Sequence, residues 1–276
     1  MTEQIIGRPP GLHEWFQTPP GQYLLAWEQQ HFDAAVADVF GYHALQLGQG
    51  PMDALRANRM PHRWLADETL HASLHDAPPR AALLTDFAAL PFPENSLDLV
   101  VLPHTLELSR EPHATLREVE RVLVPEGRVV LCCFNPASLW GLRQRRAHMY
   151  KRLGWGELFL PPQGEFIGYW RMRDWLRLLG FEVESGNFGC YRPSVGSQSW
   201  LRRFQWMDRA GERWWPIFGA AYMIVAIKRV HGIRMLEPGW KSSRSMAAAP
   251  VSVANRSGRP LRAPRPPADS PARSSL

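Results

Sequence analysis

Five positions in this 276-residue chain carry groups suited to chemistry, and they recur at the ends of apolar runs. "ALQLGQGP" (44–51) sets Gly48 and Gly50 one residue apart. Asp67 closes "HRWLAD", Asp86 closes "AALLTD", His104 follows "SLDLVVLP", and Asn135 follows "RVVLCCF". A glycine pair lets the backbone approach a ligand closely. Carboxylates accept hydrogen bonds from hydroxyl groups. A histidine can move protons near neutral pH. Each of these residue types also ends a strand as an ordinary turn former, so the signal is their recurrence.

The elements that must position these groups alternate between strand-like and helix-like segments. "PPGQYLLAWEQQHFDAAVADVFG" predicts a helix opened by Pro-Pro-Gly, with Leu25, Phe32, Val36 and Val39 near one face. "YHALQLG" reads as a first strand, "MDALRANRM" as a helix, and "HRWLAD" and "AALLTD" as second and third strands. "SLDLVVLP" is apolar on both faces, as a central parallel strand is. "SREPHATLREVERVL" predicts an amphipathic helix with Ser109 as cap and Leu116, Val119 and Leu123 on one face. Pro125 stops it and Gly127 turns the chain. "RVVLCCFNP" is a fifth strand and "RMRDWLRLLG" a helix closed by Gly180. "FEVESGNFGCY" is a sixth strand, "SQSWLRRFQWMDRAGERWW" is helical, and "AAYMIVAIKRV" is a last strand. This alternation predicts an α/β, doubly wound sheet that binds ligands at the carboxyl ends of its strands.

Composition narrows the classes. Hydrophobic residues make up 45% of the chain, enough for a sizeable core. No run approaches the roughly 18 apolar residues of a membrane helix, and the first residues lack a secretory pattern. An integral membrane protein is therefore not expected, and the predicted location is the cytoplasm. Cys132, Cys133 and Cys190 form neither a disulfide framework nor a zinc spacing, so no metal is predicted and the cysteines read as core. The net charge of +6 belongs to residues 240–276, which hold seven Lys/Arg and one acid. The rest of the chain carries equal numbers of bases and acids. That Ser/Ala/Pro/Arg-rich tail reads as disordered. It could touch nucleic acid or an anionic lipid surface, but no aromatics stand between its arginines to stack on bases. The predicted boundaries are a helical extension over 1–40, a main domain over 41–236 with a lid insertion at 136–170, and the basic tail at 240–276.

Residues 83–131, "LLTDFAALPFPENSLDLVVLPHTLELSREPHATLREVERVLVPEGRVVL", resemble the class I S-adenosylmethionine-dependent methyltransferases. The likeness is to the methyltransferase type 11 group, which includes quinone-biosynthesis C-methylases. It is carried by Asp86, Leu90-Pro91-Phe92 and Ser96-Leu97-Asp98, and by Leu116, Glu118, Arg121 and Pro125. The resemblance implies a Rossmann-like methyltransferase sheet, mostly parallel with one antiparallel strand near the C-terminal edge. It implies S-adenosyl-L-methionine as cofactor and methyl transfer to an acceptor, expected to be a small molecule. Asp86 would take the adenine amino group, the Phe87 backbone the ring, and Asp67 the ribose hydroxyls. Gly48 and Gly50 would line the methionine part, and His104 would lie beside the methyl end as the catalytic candidate.

The first loop departs from the family pattern of acid-x-Gly-x-Gly-x-Gly. Gln46 stands at the acid, and Met52 at the third glycine. Losing a charge-assisted contact costs about 1–2 kcal/mol, or about tenfold in affinity. A degenerate methyltransferase fold serving as a non-catalytic binding module therefore stays open as an alternative. A nicotinamide dehydrogenase would need a third glycine where Asp53 stands. Glu107, His148 and Tyr150 are further candidate bases, and "RQRR" (143–146) in the lid is suited to an anionic or planar acceptor.

Overall fold

The structure, a computed structural model, describes residues 12–48, 52–68, 82–152, 160 and 166–229. Seven strands run β1 His43–Leu47, β2 His62–Asp67, β3 Leu83–Leu84, β4 Leu97–Pro103, β5 Leu123–Phe134, β6 Phe181–Gly189 and β7 Ala221–Lys228. The helices are α1 Leu12–Phe16, α2 Pro19–Ala37, α3 Thr105–Leu108, α4 Pro112–Val122, α5 Leu139–Arg152, α6 Tyr169–Leu178, α7 Gln198–Arg203 and α8 Trp206–Trp214. A 3-10 turn covers Pro216–Phe218. The strands form one sheet in the order β3-β2-β1-β4-β5-β7-β6. Only β7 is antiparallel to its neighbours, as the mostly parallel Rossmann-like sheet requires.

Period-two alternation divides each central strand between two cores. Leu99, Val101, Val130, Cys132 and Phe134 face the side covered by α1 and α2. Leu97, Val100, Leu102, Val129, Leu131 and Cys133 face α4 and α6. Thr18 caps α2, accepting the Gly21 N–H, and Pro19 and Pro20 occupy the first turn. Its buried stripe is Leu24, Glu28, Phe32 and Val36, at four-residue spacing. Leu24 therefore takes the core position that the periodicity gave to Leu25, and a glutamate lies inside the apolar face.

Residues of the 83–131 segment act as fasteners. Asp98 Oδ2 accepts the N–H groups of Tyr42 and His43 at 2.8 and 2.9 Å, which fixes the start of β1 beside β4. Glu118 accepts the Leu90 N–H, and Arg121 donates to the Leu90 and Phe92 carbonyls and to Glu118. Lys228 Nζ, nearly buried, donates to the Glu120 and Leu123 carbonyls at the end of α4.

Several local expectations are corrected. "MDALRANRM" forms a short turn over 54–57 and not a helix. Gln46 and Asn58 explain this by hydrogen bonding to backbone groups that a helix would use itself. β3 is two residues long and ends before Asp86. Ser109 does not cap α4, whose N-cap position is Glu111; its hydroxyl pairs with Thr115. Pro125 does not separate helix from strand, since β5 begins directly at Leu123. The left-handed residue there is Glu126 (φ 66°), not Gly127. "SQSWLRRFQWMDRAGERWW" divides into α7 and α8. The basic tail and most of the lid after α5 lie outside the described residues.

Candidate active site at the carboxyl ends of the strands

The parallel sheet brings Gly48, Asp67, Phe87 and Thr105 to one edge. Gly48 has φ 72°, which a side chain rarely adopts. Its N–H donates to the Ala66 carbonyl at 2.8 Å, joining the ends of β1 and β2. A Cβ on Gly48 would lie 3.4 Å from Thr105 Oγ1 and 3.7 Å from the Phe87 ring, so the glycine is required by conformation and not by space. Thr105 Oγ1 donates to the Leu47 carbonyl at 2.5 Å, tying β1 to the end of β4. Gly50 lies outside the described residues.

The two acids follow neighbouring strands: Asp67 pairs with Leu84 across β2 and β3, and Asp86 comes two residues after Leu84. Asp67 is nearly buried, and its Oδ1 accepts the Glu68 N–H at 2.8 Å. Asp86 is exposed and its Oδ1 accepts the Ala88 N–H at 2.9 Å, which makes a tight turn and aims the buried Phe87 ring at Gly48. Its second oxygen has no partner among the described residues. A left-handed backbone after β1, an acid at the end of β2, a second acid in the turn after β3 and an aromatic wall are groups suited to a ribonucleoside cofactor.

Gln46, at the family's acid position, is tied into its own loop. It is buried, and its Nε2 donates to the Gly48 and Met52 carbonyls at 3.1 and 2.7 Å. Its Oε1 accepts the Ala54 N–H at 2.9 Å. The side chain thus braces the loop from within. A cavity of about 290 Å³ lies beside this brace, bordered by Asp53, Arg63, Trp64 and Ala82. It occupies the β2 side, where a short turn stands in place of a crossover helix.

His104 ends β4 in the left-handed region (φ 52°), a position of the kind held only by surrounding contacts. It is fully buried under α2. Its Nε2 lies 2.5 Å from Glu28 Oε1 and its Nδ1 2.8 Å from Glu107 Oε2. The other oxygen of Glu107 accepts the Phe134 N–H. Burial opposes charge on His104, but the two carboxylates outweigh it and raise its pKa to about 10. Burial likewise raises Glu107. Two acids therefore favour the imidazolium form of His104, both ring nitrogens are engaged, and the side chain has no exposed surface.

Glu28, His104 and Cys132 bring an oxygen, a nitrogen and a sulfur within 4.8 Å, donor types that zinc accepts. As they stand, a hydrogen bond joins Glu28 to His104, and the Cys132 thiol donates to Glu28 at 3.6 Å. Burial, then Glu28, keeps that thiol protonated. Glu28 Oε2 is buried with no partner among the described residues.

Asn135 turns out to be a clasp. Its amide donates to the Ile217 and Gly219 carbonyls and its oxygen accepts the Ala137 N–H. The "RQRR" stretch lies on α5, where Gln144 is buried against the Leu160 backbone and Arg145 and Arg146 are exposed. The side chains of His148 and Tyr150 lie outside the described residues. Glu28, which touches His104, and Thr105, which lies beside Gly48, were not read from the sequence. An acid inside the Leu24–Phe32–Val36 stripe was the available signal for Glu28. Thr105, one residue past His104 at the β4 end, had none.

Residues 64–131 match the methyltransferase-domain family of type 11. The chain is 31% identical over 170 residues to the uncharacterised protein YafS of Escherichia coli (strain K12), covering 61% of this chain and 65% of that one. It is 40% identical over 58 residues to the malonyl-[acyl-carrier protein] O-methyltransferase of Halorhodospira halophila, 21% of this chain and 20% of that one. The chain thus spans less than two thirds of the length of either relative. Among solved structures, the methyltransferase in complex with the Trm112 activator of Haloferax volcanii superposes with a TM-score of 0.54 at 18% identity, covering 80% of this chain and 97% of that one. An S-adenosylmethionine-dependent methyltransferase of Archaeoglobus fulgidus gives 0.51 at 16% identity over 75% and 94%. These two show a shared fold.

Proposed function

We propose that this chain, whose residues 64–131 fall in the methyltransferase-domain family of type 11 and whose sheet is that of the class I S-adenosylmethionine-dependent enzymes, binds S-adenosylmethionine at the edge formed by Gly48, Asp67, Asp86 and Phe87 and uses it in methyl transfer. The observation that carries the reading is the convergence of those four residues at the ends of β1, β2 and β3. When bound, the cofactor supplies an electrophilic methyl group. Asp67 would hold the ribose hydroxyls and Asp86 the adenine amino group through its uncommitted oxygen. The Gly48 backbone would follow the methionine part, and Phe87 would exclude water from the base. The acceptor is proposed to be a small molecule.

His104 enters this proposal as a positioning residue. Its protonated ring links α2, through Glu28, to α3 and β5, through Glu107. That row fixes the floor of the site beside the expected methyl position. Buried and engaged on both ring nitrogens, His104 serves this reading by position and not as the base that takes the acceptor's proton.

A second reading, a binding module on an enzyme's fold, draws on Gln46. Its amide is engaged within the loop, in place of an acid available to the cofactor's ammonium. Calorimetric titration with S-adenosylmethionine and S-adenosylhomocysteine separates the two. Micromolar binding that falls at least about tenfold in Asp86→Ala, through loss of one charged acceptor, supports the enzyme reading. No binding of either compound at millimolar concentration refutes the cofactor site and leaves the binding module.

A further inference from the structure

The seven residues from Glu212 to Phe218 are all exposed. Five of them, Trp214-Trp215-Pro216-Ile217-Phe218, form a continuous apolar tip. Trp214 is 75% exposed, and Ile217 and Phe218 about half. Trp206, 61% exposed, lies seven residues before Arg213 and so on the same side of α8. Trp200 on α7 is half exposed, with the Arg203 guanidinium over its ring. A groove of about 450 Å³ opens beside the tip, walled by Trp215 and Phe218 on one side and the half-exposed Leu139 and Leu142 of α5 on the other, with Arg145 among its lining residues.

The charges on this face have one dominant sign. Arg202, Arg203, Arg209 and Arg213 are exposed, and Glu212 is the only exposed acid on α7 and α8. Asp208, the other acid, is turned inward to Tyr23 and Arg192. Contiguous exposed apolar side chains rimmed by charge are the pattern of an interaction site. Tryptophan beside arginine suits a boundary where one side is hydrocarbon and the other carries anionic headgroups.

We propose that the face made by α7, α8 and residues 214–218 docks on an anionic lipid bilayer. The arginines pair with headgroup phosphates, the Trp214–Phe218 tip enters the headgroup–acyl boundary, and the groove between the tip and α5 opens onto the lipid. This is attachment to the surface of a membrane: no described helix is long and apolar enough to cross one. The inference rests on this face alone and stands or falls independently of methyl transfer.

Flotation of the full chain with phosphatidylcholine vesicles, with and without phosphatidylglycerol, tests it. Binding should require the anionic lipid, weaken with salt and persist in part at high salt through the apolar tip. The double variant Trp214→Ser/Ile217→Ser should bind at least about tenfold more weakly, from the apolar burial it forgoes. Both side chains are exposed, so its thermal unfolding should match the parent and separate lost docking from lost folding. A variant with Arg259, Arg262 and Arg265 replaced by Ala controls for the basic tail. If that variant loses vesicle binding while the tip variant keeps it, the proposal is overturned. It is equally overturned if the chain ignores anionic vesicles and is instead a dimer that the tip variant dissociates.

Discussion

Replacing Glu28 by Gln should change how the stability of this protein depends on pH, by an amount the buried row fixes. His104 titrates near 6.5 when unfolded and at about 10 when folded. A group whose pKa is raised by folding stabilises the protein fully below its unfolded value, and that stability is lost as pH rises through the folded value. At about 1.36 kcal/mol per unit, the row should lose on the order of 4 kcal/mol between pH 6.5 and 10. Burial raises the pKa of Glu107, and a carboxyl raised by folding acts in the same direction. The amide introduced by Glu28→Gln would keep an oxygen facing His104 Nε2 and leave one buried polar atom without a partner, as Glu28 Oε2 already is. The substitution therefore isolates the charge. Removing one member of a buried ionic row costs about 3–5 kcal/mol. The variant should be less stable by about that much at pH 7, and the alkaline loss should move down by about one to two units. Urea unfolding at about pH 6, 7.5 and 9 reads both effects. If the wild-type protein is equally stable at all three values, or if the variant reproduces its profile, the ionised row is not what holds α2 to the sheet.

Other expectations follow from single contacts. Gln46→Glu restores an acid near the family's loop position, yet it turns two donated hydrogen bonds, to the Gly48 and Met52 carbonyls, into repulsions. It should lower stability by about 2–3 kcal/mol without tightening S-adenosylmethionine binding, and a gain in affinity by calorimetry would contradict the bracing role. Glu126→Gly relieves a left-handed backbone, worth about 1–2 kcal/mol, against the loss of an exposed pair with Arg229. Thermal unfolding should rise by a few degrees, and a fall would show that the pair outweighs the strain.

The fold was legible because the sheet depends on period-two alternation and on strand-end residues, both written locally. β4 and β5 carry uninterrupted apolar runs, and Leu90, Asp98, Glu118 and Arg121 form fasteners close together in sequence. The positions of the candidate site residues were legible in part. Gly48 and Asp67 stand at strand ends as the sequence reads, while Asp86 lies two residues past the end of β3. Glu28 sits 76 residues from His104, so no local pattern could pair them, and an acid within an amphipathic helix ordinarily reads as solvated. His104 looked like a base because position alone says nothing of burial or of two flanking carboxylates. The 52–58 segment misled because "MDALRANRM" has helix-forming residues, while Gln46 and Asn58 take up its backbone groups through contacts that only the fold creates.

The turn over 54–57 has a consequence for how the sheet edge behaves. Among the described residues β2 pairs with β3 at only two positions, and the described part of the connection from β1 to β2 holds a turn and not a helix. The amides of β2 that face β3, unlike those on the side paired with β1 at five positions, should then exchange with solvent through local opening well before the amides of β4 and β5 at the centre of the sheet. Asp67 and Asp86 belong to that early-opening edge. A ligand bridging the two acids would have to order the edge as it binds, so its affinity would carry that ordering cost, and slowed exchange along β2 would register its arrival.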